Sequence, residues 1–217
     1  MSVVKHRILD EIALIEVSNP PVNAISAAVR IGLLETIEEL SLDEKILAIV
    51  ITAPERTFLA GADIKEFGKK IDAPILGNIC DKIESLNKIV VASLHGTPLG
   101  GGLEVAMSAH YRIAAPNTKV GLPEVLLGIL PGAGGTQRLP RLCGVSMALD
   151  MMLTGKHVPA KKALEAGIID VIAKNNSTID NGIEYAKKLI KDGFKPRPTS
   201  KMEDKISDTQ EISNSLI

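Results

Sequence analysis

Two glutamates, each beside a glycine run, carry the chemistry that this sequence offers. Glu104 directly follows Leu99-Gly100-Gly101-Gly102-Leu103, and Glu124 stands 20 residues later in Gly121-Leu122-Pro123-Glu124-Val125-Leu126. Both have apolar neighbours, Leu103, Val105 and Ala106 around one and Leu122, Val125 and Leu126 around the other. Burial in such surroundings raises a carboxyl pKa toward neutrality, where the group can take up or release a proton as a general acid or base. For a single glutamate, a solvated helix face is the plainer reading. Two of them, each attached to a glycine-rich turn on an apolar stretch, favour a pair of proton-transfer groups.

Glycine is concentrated in three segments: Ala60-Gly61-Ala62-Asp63, the triglycine at 100–102, and Leu130-Pro131-Gly132-Ala133-Gly134-Gly135-Thr136. Without a Cβ the backbone can approach a ligand closely and present its N–H groups. The triglycine lies between an apolar run, Ile89 to Leu94, and the helix-like LEVAMSAH, so it is expected to form a strand-to-helix turn. A helix amino terminus offers unpaired N–H groups and a partial positive charge. Such a turn can stabilise an oxyanion if a second N–H converges on it, and Ala62 is the candidate donor. Tight helix packing is an equally available reason for the glycines.

Other motifs fail on inspection. Gly132-Ala133-Gly134-Gly135-Thr136-Gln137 has Gln where a dinucleotide fingerprint needs its last glycine, and no glycine run is followed by the Lys-Ser/Thr pair of a P-loop. Gly144-Val145-Ser146-Met147-Ala148 lacks the final glycine of a nucleophile elbow and places Ser146 in a helical stretch.

The elements that must position these groups alternate between strand and helix, which predicts an α/β architecture. Ile8 to Val17 reads as one strand ended by Ser18-Asn19-Pro20-Pro21. A helix is expected from Ser26, with Val29, Leu33, Ile37 and Leu40 on its buried face. Ile46 to Thr52 and Ile89 to Leu94 read as strands buried on both sides, with further strands at Tyr111 to Ala115 and Asp170 to Ala173. Pro159 to Ala166 reads as a short helix with proline in its first turn. The compact domain is expected to span 1–192, with 193–217, rich in Pro, charge and small polar residues, as a weakly ordered tail.

Composition narrows the function. The chain has 217 residues, 25 Lys+Arg against 26 Asp+Glu and a net charge of −1, so no nucleic-acid partner is expected. Phe58, Phe67, Tyr111, Tyr185 and Phe194 are its aromatic residues, too few for a stacking platform. Cys80 and Cys143 lie without CxxC or His-rich company, which points away from a metal cluster or disulfide framework and toward a reducing, cytoplasmic location. Charges at Lys5, His6, Arg7, Asp10 and Glu11 interrupt the amino-terminal apolar residues, so neither a signal peptide nor a membrane span is expected there.

Four segments together resemble the enoyl-CoA hydratase/isomerase (crotonase) family: PPVNAIS at 20–26, AGADIKEF at 60–67, HGTPLGGGLEVAMSAHYRIA at 95–114 and VGLPEVLLGILPGAGGTQRLPRLCG at 120–144. TGKHVPAKKALEAGIID at 154–170 is similar to the family's continuation. The variants PPVNA, AHYRIA and VGLPEV are most similar to the hydratase/isomerase half of peroxisomal-type multifunctional β-oxidation enzymes. The resemblance implies an α/β spiral of ββα units with a helical, shortened carboxyl-terminal region, and a homo-oligomer, trimeric or hexameric unless the short end prevents it.

It also implies an acyl-CoA thioester substrate, with no cofactor and no metal. The thioester oxygen would be held by the N–H groups of Ala62 and Gly101, while Ala60, Gly61, Ala62, Asp63, Ile64 and Lys65 would line the path of the CoA. Glu104 and Glu124 fall on the family's paired catalytic glutamates and Gly132 on the glycine that helps to place water. Nothing is carried over to His95, His110, Cys80 or Cys143. The implied reaction is hydration of a 2-enoyl-CoA, with double-bond isomerisation through the same intermediate as a second activity. A non-catalytic acyl-CoA-binding scaffold and another crotonase-type reaction are the alternatives. Acyl chain length would depend on pocket walls such as 71–86.

Overall fold

The computed structural model describes residues 2–66, 68–69 and 74–207; Phe67, residues 71–73 of the expected pocket wall and the tail at 208–217 lie outside the described residues. The chain begins with a hairpin, β1 (Val4–Leu9) paired antiparallel with β2 (Ile12–Val17). The single strand expected over 8–17 is therefore corrected: Asp10 at φ 57° turns the chain between Leu9 and Ile12. Aspartate tolerates this left-handed conformation better than most side chains, so a polar Asp-Glu pair within an apolar run marks a turn.

Next come α1 (Ala27–Leu42), β3 (Ala48–Thr52), α2 (Leu76–Glu84), β4 (Ile89–Leu94), α3 (Gly101–Ser108) and β5 (Tyr111–Ala114). They are followed by β6 (Lys119–Val120), α4 (Gly135–Cys143), α5 (Val145–Thr154), β7 (Val158–Pro159), α6 (Ala160–Ala166), β8 (Val171–Ile172) and α7 (Thr178–Lys191). Short 3-10 turns occupy Ile64–Glu66, Glu124–Leu127 and Thr199–Lys201.

The six-stranded sheet runs β1-β2-β3-β4-β5-β8, parallel at every pair after the hairpin, while β6 and β7 form a second, antiparallel pair. Each crossover enters the neighbouring strand in the same direction across the sheet. This steady advance is a spiral; a doubly wound sheet would reverse at a switch point.

Strand alternation divides the core in two. Ala13, Ile15, Ile49, Ile51, Val90 and Ala92 face α1, α2 and α3, whereas Ile12, Leu14, Ala48, Val50 and Val91 face α7 through Ala186 and Leu189. The four expected apolar positions of α1 are all buried, and Arg30 and Thr36 are buried with them. Among the described residues no helix is long and apolar enough to cross a membrane, and no cluster of three metal-ligating side chains occurs. Cys80 and Cys143 are not joined in a disulfide, and burial pushes the Cys80 thiol up to about 12.

The carboxyl-terminal segment departs from expectation. The ordered body continues past the boundary expected at Asp192. Thr199 is fully buried and donates from Oγ1 to Met107 O at 2.9 Å, and Lys205 Nζ donates to Leu142 O at 2.7 Å and Ala166 O at 2.6 Å. Those carbonyls lie in the last turns of α3, α4 and α6, where helices leave acceptors without intrahelical partners. Arg197 adds a bond to Asp170 Oδ1 at 2.6 Å and lies over the Tyr111 ring. The polarity that reads as solvation in the sequence serves here to satisfy helix ends.

Candidate active site

The site is built around the first turn of α3. Gly100, at φ +52°, turns the chain out of the β4 connection, and Gly101 is the first helical residue, so its N–H has no acceptor in the helix. Gly102 lets this turn approach the 58–62 segment: a Cβ there would lie 2.0 Å from Leu59 O. Ala62 forms a parallel bridge with Ile25 that uses the Gly61 carbonyl, so the N–H of Ala62 faces the other way. A Cβ on Gly101 would sit 3.6 Å from Ala62 N, which puts the two expected donors side by side. Close helix packing and the approach of the Gly101 and Ala62 backbones therefore coexist at the same glycines.

Glu104 projects from the same turn and is 3% exposed. Its Oε1 accepts from the N–H of Ala133 at 2.7 Å and of Gly135 at 2.8 Å, leaving Oε2 as the oxygen outside this clamp. Burial pushes its carboxyl above the ordinary value, while the two N–H bonds and the Arg138 guanidinium pull the other way.

Glu124 opens the 3-10 turn at Glu124–Leu127 and is 9% exposed. Its carboxyl lies against Gly100, where a Cβ would come within 3.1 Å of Oε1. Oε2 is buried without a hydrogen-bond partner among the described residues. Burial raises this carboxyl to about 7; its own backbone N–H opposes the rise and the nearby Glu104 charge adds to it.

Glu104, Glu124, Ala62 and Gly101 open on one cavity of about 440 Å³, lined also by Ala60, Gly61, Ile64 and Gly132. Asp63 lines the adjoining concavity of about 340 Å³ together with Arg30, Glu66 and Lys69. Lys65 borders neither; its N–H donates to Asp63 Oδ1 at 3.0 Å. A larger concavity of about 550 Å³ lies between α2, α4 and the 198–201 segment, and neither glutamate reaches it. The carboxyls and backbone donors meet on the 440 Å³ cavity, and this, not volume, makes it the candidate site.

Sequence reasoning marks the third glycine run only as a ligand-facing loop. In the fold, its Ala133 and Gly135 amides clamp Glu104, and Arg138 supports them through a bond from Nη1 to Ala133 O at 2.9 Å. The available signal was the start of a helix at Gly135, since the amides at a helix start lack acceptors. His110 is fully buried away from the cavity, its Nδ1 accepting from Val90 N at 3.0 Å and its Nε2 near Glu84 O at 3.2 Å.

This arrangement can polarise a carbonyl and move protons at two positions. The Enoyl-CoA hydratase/isomerase family profile matches residues 7–211. The peroxisomal bifunctional enzyme of Danio rerio is 48% identical over 179 residues, covering 82% of this chain and 25% of that protein. A probable enoyl-CoA hydratase of Bacillus subtilis is 40% identical over 185 residues, covering 82% of this chain and 70% of that one. The chain spans about a quarter of the length of the peroxisomal bifunctional enzymes that it matches.

Among solved structures, DspI of Pseudomonas aeruginosa superposes with a TM-score of 0.81 at 30% identity, covering 88% of this chain and 75% of that one. Enoyl-CoA hydratase of Bacillus anthracis gives a TM-score of 0.80 at 29% identity, with 87% and 76% covered. Agreement from profile, relatives and backbone shape, over the residues that build the two-glutamate cavity, shows that the chain belongs to the enoyl-CoA hydratase/isomerase family and has the crotonase fold.

Proposed function

We propose that the protein is an enoyl-CoA hydratase of fatty-acid β-oxidation, adding water across the 2,3 double bond of a 2-enoyl-CoA to give a 3-hydroxyacyl-CoA. The observation that carries this reading is the unequal pair of buried carboxyls on one cavity: Glu104 clamped by two N–H donors, Glu124 raised to about 7 by burial. The thioester oxygen accepts from Ala62 and Gly101, and charge gathering there is stabilised by donors that need no reorganisation. Polarisation makes C3 electrophilic. Glu104 takes a proton from water as its oxygen bonds to C3, and Glu124 delivers a proton to C2 as the enolate collapses. One water accounts for every atom added, its hydroxyl on C3 and a hydrogen on C2, and the proton left on Glu104 and the one given up by Glu124 are rebalanced through solvent after turnover, so the reaction as proposed uses no cofactor; CoA belongs to the substrate.

Gly132, which lines the cavity with open space at its Cα, is assigned to water placement. The 60–65 segment is assigned to the CoA path, supported by Ala60 to Ile64 bordering the two adjoining concavities. The unpartnered Oε2 of Glu124 also supports isomerisation, in which it removes a proton from C2 of a 3-enoyl-CoA and returns it at C4.

The proposal includes a trimeric or hexameric assembly, supported by the exposed Leu126, Leu127, Leu130 and Leu153 and tested by sedimentation equilibrium. It includes a cytoplasmic location, supported by two cysteines that are not joined in a disulfide and tested by fractionation of source cells.

The central experiment follows the loss of enoyl-thioester absorbance with crotonyl-CoA and a decenoyl-CoA, with Glu104→Ala and Glu124→Ala as controls. Turnover that depends on both glutamates supports the hydratase. Thioester binding without turnover overturns it in favour of a non-catalytic scaffold, and release of free CoA overturns it in favour of thioester hydrolysis.

A further inference from the structure

Arg138 lies outside the reactive cavity, on the far side of the loop that clamps Glu104. It projects from α4, is 4% exposed, and spreads its guanidinium over three acceptors. Nη1 donates to Ala133 O at 2.9 Å, and Nη2 donates to Glu84 Oε2 at 2.9 Å and Asp81 Oδ1 at 2.8 Å. Glu84 is itself buried on α2, and its other oxygen, Oε1, accepts from Ser200 N at 2.8 Å. The 131–135 loop lies so close to the guanidinium that a Cβ on Gly134, which adopts φ +96°, would fall 2.2 Å from Nη1. A continuous hydrogen-bonded path therefore runs from the docked 199–201 turn through Glu84 and Arg138 to the carbonyl between the two amides that hold Glu104.

We infer that Arg138 is a positioning residue for Glu104, holding the Ala133–Gly135 clamp at a fixed distance from the cavity, and that Glu84 in turn fixes the guanidinium. A planar fork suits this role because it satisfies a backbone carbonyl and a buried carboxylate at once, which a lysine ammonium on a flexible stem does not reproduce. Arg138 also supplies positive charge to Glu104. The groups facing that carboxyl are Arg138 from α4, Glu124 from the 3-10 turn and Cys80 from α2, whose thiol stays neutral at about 12. Asp81 is 76% exposed at its side chain, so solvent screens its share of the network, whereas Glu84 is shielded.

The inference rests on the hydratase reading, and its test separates the two. Arg138→Gln, Arg138→Lys and Glu84→Gln are assayed with crotonyl-CoA across pH, beside an NMR titration of the Glu104 side-chain carboxyl in parent and variants. Arg138→Gln is expected to lower kcat by about 10- to 100-fold through misplacement of the base. KM should stay within about threefold, and the acidic limb should move to higher pH as Glu104 loses its cation. Arg138→Lys should restore the limb and only part of kcat; Glu84→Gln should shift kcat in the same direction by less. The Glu104 titration midpoint should rise in Arg138→Gln, a readout that needs no turnover. A parent without hydratase activity overturns the functional reading while that midpoint still tests Arg138. A parental midpoint in Arg138→Gln or, should that variant not fold, parental kcat and limb in both Arg138→Lys and Glu84→Gln overturn the positioning role.

Discussion

The two carboxyls of the site stand in contrasting surroundings. Glu104 sits on a regular helix, and its Oε1 is gripped by two amides backed by a buried arginine. Glu124 sits on a short 3-10 turn that continues into the exposed Leu126 and Leu127, and its Oε2 has no partner among the described residues. Burial raises both carboxyls, but at Glu104 two amides and a guanidinium oppose the rise, whereas at Glu124 only its own backbone N–H does. The difference teaches that the readiness of a carboxyl to ionise is set by the donors around it, because the two side chains are chemically identical.

Removing either carboxyl tests the contrast most severely. Glu104→Gln and Glu124→Gln are each expected to lower kcat for crotonyl-CoA hydration by about 10³-fold, the scale of a lost general base or acid. In the parent, kcat/KM should fall on the alkaline side with an apparent limb near pH 7, where Glu124 gives up its proton. A limb that survives in Glu124→Gln would break the assignment.

Gly102→Ala addresses the frame that both carboxyls share. The new Cβ would meet Leu59 O, a backbone atom, and should cost about 3 kcal/mol in urea unfolding through overpacking. It should also reduce turnover, since it separates Ala62 from Gly101.

Stability against pH sharpens the comparison at a smaller scale. The folded-state pKa of Glu124, about 7, lies above its ordinary value of 4.5, so the ionised form disfavours the fold and its penalty grows as pH rises from 4.5 through 7. Glu124→Gln should therefore be more stable than the parent by about 3 kcal/mol at pH 9 and no more stable at pH 4. Glu104→Ala should be less stable at both, because it strands two buried amides. The smallest effect is expected far from the cavity: Thr199→Val removes the bond to Met107 O and should cost about 1 kcal/mol in the same unfolding assay.

Much of the frame was legible from local pattern. The spacing of Val29, Leu33, Ile37 and Leu40 marks the inner face of α1, and the apolar runs at 46–52 and 89–94 contain β3 and β4. The glutamates and the triglycine announce themselves by type and spacing. The hairpin did not, because the turn at Asp10 interrupts the apolar run by only two polar residues, Asp10 and Glu11. Arg138 did not either: in the sequence it is an arginine on a polar helix start, and its burial depends on Glu84, 54 positions earlier. The 193–207 segment misled composition most, since its hydroxyls, lysines and arginine find acceptors at helix ends that are remote in the chain.

The sequence by itself determined the alternation of strand and helix, the glycine turns and the two glutamates as candidate carboxyls of the site, because each follows from periodicity and residue chemistry within a short window. Only the tertiary structure decided that Ala62 and Gly101 stand side by side, that Glu104 is clamped while Glu124 is left bare, and that a polar segment closes the body. Those are outcomes of burial and hydrogen-bond satisfaction among residues distant in the chain, which become defined only when the elements pack together.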